Sequence, residues 1–337
     1  ILALAVFDDG TGSALYAGGN FNKAGGLEAN RIARWNGSAW SPLIGPSGNG
    51  VVSGQIEALV VHDEGTGPAL YAGGSFSTAG GVAANRIAKW DGTAWSPLVG
   101  PNGNGMVNIG VRALAAFDDG TGPALYAGGT FTSAGGITLN RMAKWDGASW
   151  SPLAGPSGEG ASGDVEALVV FDDGTGPALL AGGEFTSAGG LTANRIAKWD
   201  GTAWSPTAGL QGRGVNGFVN AFATASDEDG TILYVGGEFR AAGDAVANFV
   251  AAWDGTDWAP MLGIGGAGLN GSVSALTVFD DGTGPSLYAG GFLSAADGIA
   301  TNYVARWDGA TWSPMPGLEG GASGTVHALA GFDDGTG

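Results

Sequence analysis

A repeat with a period near 54 residues decides what this chain can fold into. The alanines of a Val-x-Ala-Leu-like segment stand at Ala3, Ala58, Ala113, Ala167, Ala221, Ala275 and Ala328, separated by 53 to 55 residues. Six full units therefore fill 337 residues, and residues 326–337 open the first strand of a seventh copy. Such a period is typical of propeller blades and too long for most solenoids.

The second unit shows how a copy divides. Segment a, Ile56–Val61, is a short apolar run suited to a strand buried on both faces. Asp63-Glu64-Gly65-Thr66-Gly67-Pro68 is a turn cluster, and segment b follows as Ala69–Gly74. A Gly/Ser/Ala loop runs to Asn85, then segment c is Arg86–Trp90. Asp91-Gly92 reads as a hairpin turn, because Asp-Gly accepts the positive φ that tight hairpins need. Segment d, Thr93–Leu98, carries Pro97, which marks an edge strand or strand end. Four short antiparallel strands with no helical period describe a propeller blade. The expected fold is thus all-β, a six-bladed β-propeller of four-stranded blades in one domain over 1–337, with a piece of a larger propeller or array as the alternative.

Twelve tryptophans form six pairs five residues apart, 35/40, 90/95, 145/150, 199/204, 253/258 and 307/312. A hairpin places both indoles of a pair on one face. Recurrence in every copy predicts blade-to-blade packing; a ring of sugar-stacking indoles is the functional alternative.

The Gly pairs 18/19, 73/74, 128/129, 182/183, 236/237 and 290/291 each end a strand, and a Trp hairpin follows each. In this the chain resembles the kelch repeat. Tyr71-Ala-Gly-Gly-Ser-Phe76 and Ala88-Lys-Trp-Asp-Gly-Thr-Ala-Trp95 resemble more closely the kelch-like extracellular repeats of the cortical polarity marker type. The resemblance spans essentially the whole chain and implies blades; it is nearly silent on function, since propellers host many activities. The chain departs from kelch in having Trp where kelch usually has Tyr, and in its long Gly/Ser loops.

Formal charge is −18, from 13 Lys and Arg against 31 Asp and Glu. That opposes binding to nucleic acid phosphates and to anionic membranes. No run of 18 apolar residues exists to span a bilayer. Without Cys there are no disulfides or thiolate sites, and a galactose-oxidase-like copper centre is excluded. His62 and His327 are the only histidines, too few for a Ser/His/Asp constellation, and His62 stands where most copies have Phe, which predicts a packed role. No catalytic set emerges, so the expectation is a protein that is not an enzyme. Acidic, Cys-free and Lys-poor composition reads as extracellular or cell-surface, and bacterial.

The a–b and c–d turns share one edge of a blade, and they hold 21 of the 31 acids. These turns demand Asp and Gly for their own geometry. Ca²⁺ binding is the functional reading, with Asp227 and Asp229 in Asp227-Glu228-Asp229-Gly230 as the nearest to an oxygen-rich loop. Strand c carries most basic residues, among them Lys89, Lys144 and Lys198, which fit charge neutralisation beside those turns.

On the opposite edge Asn30, Asn85, Asn140, Asn194, Asn248 and Asn302 recur as expected side-chain-to-backbone loop locks. One position there varies while its neighbours do not: Leu2, Glu57, Arg112, Glu166, Asn220, Ser274 and His327 precede the repeated Ala. If strand a is innermost these lie at a channel mouth, which makes Glu57, Arg112, Glu166, Asn220 and Ser274 candidate binding residues. Two functions follow as expectations. The first is a protein interaction or assembly module at the cell surface; the second is a multivalent glycan-binding lectin using pockets between blades.

Overall fold

A computed structural model describes residues 1–155, 158–207, 214–227, 230–264, 266–315 and 324–333, without the side chain of Asp227. Among the described residues no helix occurs, and the main elements are six antiparallel sheets. Each follows the order a-b-c-d read from the sequence. In the first sheet strand a is Ala3–Asp8, b Ser13–Gly18, c Ile32–Trp35 and d Trp40–Pro42. The second begins at Ile56–Asp63, the third at Met106–Asp118, the fourth at Val165–Asp172, the fifth at Val219–Asp227 and the sixth at Val273–Asp280. The chain divides into two compact units of three sheets, one mainly Ile1–Ala154 with Glu159–Val165, the other mainly Glu166–Gly331.

Packing within each unit explains the Gly pairs. A Cβ on Gly73 would lie 2.5 Å from Val111 of the next sheet, and one on Gly182 or Gly236 would meet Val219 or Val273 at the same distance. The second glycine of the pair faces backbone: Gly74 abuts the carbonyl of Gln55, which precedes strand a. These sheets therefore approach more closely than any side chain at that point allows. Residues 324–331 stand by the sixth sheet in the same way, with Val326 over Gly290 and Val326 N–H donating to Gly291 O at 3.3 Å.

Between sheets one and two lie Tyr16, Ile32, Ile56, Leu70, Phe76 and Trp95, all buried; sheets two and three enclose Tyr71, Val111, Phe131, Trp145 and Trp150. Each such large side chain contributes about 1.5–3 kcal/mol by leaving water. The paired indoles are direct cross-strand partners, as in Trp90↔Trp95, with ring centroids 5.2 to 6.1 Å apart. Trp90, Trp95, Trp145, Trp150, Trp199, Trp204, Trp253 and Trp312 are buried, so packing, not a sugar-stacking ring, is their role.

Two local details go beyond the sequence reading. The c–d hairpin has a four-residue loop, because Trp90 pairs Trp95 across it. Within it only Gly92 has positive φ (99°); Asp91 instead caps the loop with its carboxylate. The b–c loop contains a small hairpin, Thr78–Ala79 with Val82–Ala83, turned by Gly80-Gly81. Gly80 is required there, since a Cβ would run into Trp95 Cδ1 at 2.6 Å.

Candidate functional site

The two edges of each sheet differ in what they leave over. At the turn edge the acids serve the turns. Asp8 Oδ1 accepts from Gly10 N and Gly12 N, and Asp63, Asp118, Asp172 and Asp280 repeat this in their copies. The next acid reaches strand c: Lys89 Nζ lies 2.8 Å from Glu64, Lys144 2.5 Å from Asp119 and Lys198 2.6 Å from Asp173, with Arg34 on Asp9 and Arg306 on Asp281. Tyr16 and Tyr126 hydroxyls donate to the same acids. Burial alone pushes the Asp119 carboxyl up, but Lys144, Thr121 and Tyr126 outweigh it and hold it well below the usual range. Asp9, Glu64 and Asp173 are lowered for the same reasons. Burial, then the Asp9 carboxylate, pushes the Tyr16 phenol above its ordinary value.

In the c–d loop Asp91 Oδ1 accepts from Thr93 N and Ala94 N at 2.8 Å. Asn36 makes the equivalent bonds to Ser38 N and Ala39 N without a charge, so the turn needs the oxygen and not the anion. Among the described residues no group of three or more His, Cys, Asp or Glu is placed to hold a metal ion. The Ca²⁺ candidate lies outside the described residues for Asp229 and for the side chain of Asp227.

His62 is buried and packs tilted against Tyr71 with centroids 5.7 Å apart, as Phe7 does against Tyr16 at 5.6 Å. Desolvation lowers its pKa, and its Nε2 has no hydrogen-bond partner. It fills a phenylalanine site.

The loop edge is organised by a residue in left-handed conformation directly after each repeated Asn. Arg31 (φ 68°), Arg86 (66°), Arg141 (58°), Arg195 (74°), Phe249 (69°) and Tyr303 (66°) occupy it. The backbone there closes the b–c loop: Arg86 N donates to Phe76 O, and Gly74 N donates to Arg86 O. This offsets the ~1–2 kcal/mol that a non-glycine residue spends in that region. The preceding Asn locks the loop to the following d–a connection, as Asn30, Asn85 and Asn248 show through Nδ2 bonds to the carbonyls of Asn49, Asn104 and Ala267.

Two open clefts lie at this edge between neighbouring sheets. One, of about 380 Å³, is lined by Asn22, Lys23, Glu28, Arg31, Val52 and Ser53. Its counterpart in the other unit, about 420 Å³, is lined by Thr186, Asn194, Arg195, Val215, Asn216 and Ala241. Arg31 is tied down, Nε donating to Gly54 O at 2.7 Å and Nη1 to Phe21 O. Arg195 Nη1 donates to the carbonyls of Glu184 and Phe185, both at 3.2 Å, while its Nε is buried without a partner. No sequence pattern singled out these arginines as ligand groups. The signal available was Arg directly after Asn in four of six copies.

Four of the five channel-mouth candidates occupy β-bulges. Register shifts fall between Ile56 and Ala58, Val111 and Ala113, Val219 and Ala221, and Val273 and Ala275, leaving Glu57, Arg112, Asn220 and Ser274 as the extra residues. Within the first unit strands a of consecutive sheets adjoin, as do those of the fifth and sixth sheets. Glu57 accepts from Gln55 Nε2, and Asn220 Nδ2 donates to Val273 O. Glu57, Glu166, Asn220 and Ser274 are half-buried and Arg112 exposed; neither cleft is lined by them.

No protein-family model matches the chain, and neither does any curated protein. Solved structures do. The chain is similar to an extracellular domain assigned to a one-component system from B. thetaiotaomicron, at 14% identity and TM-score 0.53, over 92% of this chain and 32% of that one. It is similar to an ancestral GH74 enzyme at 14% identity and TM-score 0.51, over 89% of this chain and 36% of that one. A third likeness, TM-score 0.41 at 14% identity, is to a triple arginine-to-alanine variant of AofleA from Arthrobotrys oligospora, over 92% and 83% of the two chains. The chain spans about a third of the first two proteins' lengths. The first two likenesses support an all-β, propeller-like fold.

Proposed function

We propose that this chain is a non-enzymatic binding module, a kelch-like propeller of six blades that works outside the cell or at the cell surface, in a bacterium. The observation that carries it is the contrast between edges. The ionisable groups of the turn edge are engaged by their own turns, while the loop edge repeats open clefts between sheets. Clefts of several hundred Å³ with a few convergent polar groups are where ligands bind. The extracellular domain among the similar folds agrees with a surface location. The partner is a protein or a glycan. The lining of the clefts, Asn, Thr and Arg side chains over small residues, favours glycan hydroxyls, and near-equivalent clefts supply avidity.

The deciding experiment is a glycan array read with multimerised protein, with hits assayed for cleavage. Binding without turnover is the expected result. Turnover abolished by one point substitution, on any hit, would overturn the module reading.

A further inference from the structure

We infer that the cleft over Arg195 binds a carboxylated sugar residue, a hexuronic-acid-type unit of a glycan, through the Arg195 guanidinium. The inference rests on the glycan reading of these clefts and names its charge requirement.

The same arginine follows the repeated Asn in four successive copies, Arg31, Arg86, Arg141 and Arg195. Arg31 Nε donates to Gly54 O, and Arg86 Nε to Asn108 O at 2.9 Å, in d–a connections that carry four residues between Val51 and Ile56 or Met106 and Val111. The next connections are one residue shorter, with Ser162-Gly163-Asp164 before Val165 and Asn216-Gly217-Phe218 before Val219. In the first of these the carbonyl contact is replaced by a carboxylate: Arg141 Nε lies 3.4 Å from Asp164 Oδ1. In the second, Phe218 takes the place of Asp164 in the sequence. Its ring lies under the Arg195 guanidinium, 5.6 Å from centroid to Cζ, and Nε loses its partner. The protein thus shows at one interface the chemical group that is missing at the next.

The backbone does not explain why arginine is kept at 195, because Phe249 and Tyr303 hold the same left-handed position. Arg195 Nε is itself enclosed, so a carboxylate meets the guanidinium from the cleft that Arg195 lines, with charge-assisted bonds. The Phe218 ring adds a cation–π attraction to the guanidinium. The cleft is also free of the carboxylate found in its counterpart, since Thr192 stands where Glu28 does. A donor for ring hydroxyls is ready beside it. Asn216 Oδ1 accepts from Arg240 N and Ala241 N, which leaves its Nδ2. In the next copy the same amide, Asn270 Nδ2, is spent on Ser294 Oγ. The net charge of −18 does not oppose a single carboxylate here, because most acids lie in turns at the other edge.

The test is titration calorimetry of the full chain with methyl glucuronide, methyl glucoside and N-acetylglycine. Glucuronide is expected to bind at least tenfold tighter than the other two. Arg195→Ala should weaken it at least tenfold, and so should Phe218→Asp, which restores the internal carboxylate and should not destabilise the fold. Glucuronide that does not bind, binds no better than glucoside, or keeps its affinity in both variants overturns the inference. Equal binding of N-acetylglycine overturns the sugar part and points to a peptide carboxylate. Neutral glycans bound on the array with Arg195→Ala unaffected would overturn this inference while leaving the binding module standing.

Discussion

The turn edge and the loop edge of the same sheets obey one repeat and reach different ends. At the turn edge the repeat fixes side-chain partners as well as backbone: Asp9–Arg34, Glu64–Lys89, Asp119–Lys144, Asp173–Lys198 and Asp281–Arg306 are one contact made five times. At the loop edge the repeat fixes the backbone and the Asn locks, but not the partner of the residue after each Asn. The left-handed residue closes its loop in the same way each time, yet its side chain meets a carbonyl at Arg31, a carboxylate at Arg141 and no partner for Nε at Arg195. Where partners repeat, the contact is structural. Where they drift over a constant backbone, the repeat leaves the contact to each copy's own neighbours.

Acid should break the turn edge first, and this is the largest effect expected. Asp9, Glu64, Asp119 and Asp173 have folded pKa values below their unfolded ones, so their contribution is complete above about pH 4. It is lost as pH falls through the depressed folded values. For partly exposed pairs worth up to about 1 kcal/mol each, the summed loss on acidification is at most a few kcal/mol, a fall of about 5 °C in melting temperature for a chain of this length. His62 adds a separate step at higher pH: its folded pKa is lowered, so stability falls as pH drops below about 6.5. Melting curves of wild type and His62→Phe separate the two, and a pH-independent melting temperature would show the turn contacts to be inert.

The loop edge is sharpened by treating its arginines alike. Arg31→Ala removes two charge-assisted bonds and leaves two carbonyls short, a loss of ~2 kcal/mol. Arg195→Ala removes two longer bonds together with an orphaned donor, and should cost about 1 kcal/mol or less. Urea unfolding of both variants gives the difference; equal losses would mean that Arg195 is as structural as Arg31. A smaller effect is expected at Asp164→Asn. Its ion pair with Arg141 is partly exposed and worth under about 1 kcal/mol. The freed guanidinium should then bind methyl glucuronide, measurable in calorimetry with Arg195→Ala as background.

How far the sequence could be read follows the same division. The strand order, the packed Trp pairs, His62 in a Phe site, the Asn locks and the cations beside acidic turns were legible, because each rests on a local pattern repeated copy by copy. The hairpin at Asp91-Gly92 was legible but its loop length was not, because that depends on where Trp90 and Trp95 come into register, which a dipeptide does not encode. The variable position before the repeated Ala reads as a bulge only when the register of strand a against strand b is known. Arg195 was not legible as a ligand group at all. Its distinction is a missing partner, created by a one-residue deletion and by Phe218 two dozen positions away.

One contact at the turn edge departs from its own repeat, and it gives the smallest effect. Glu64 is a methylene longer than the Asp in equivalent turns, and its Oε1 accepts from Trp145 Nε1 of the next sheet at 2.8 Å. Asp9 and Asp173 approach the equivalent loop glycines, Gly92 and Gly255, but the indoles of Trp90 and Trp253 keep Nε1 buried and unpaired. Asp9→Glu and Asp173→Glu should therefore gain that bond, about 0.5–1 kcal/mol each. Both bury no new charge, since a carboxylate already stands at each position. The gain should vanish when the indole donor is removed, so the measurement is a double-mutant cycle with Trp90→Phe in urea unfolding. A coupling energy near zero would mean that the extra methylene relocates the carboxylate without reaching the neighbouring sheet, and that Glu64 owes its contact to surroundings the other turns lack.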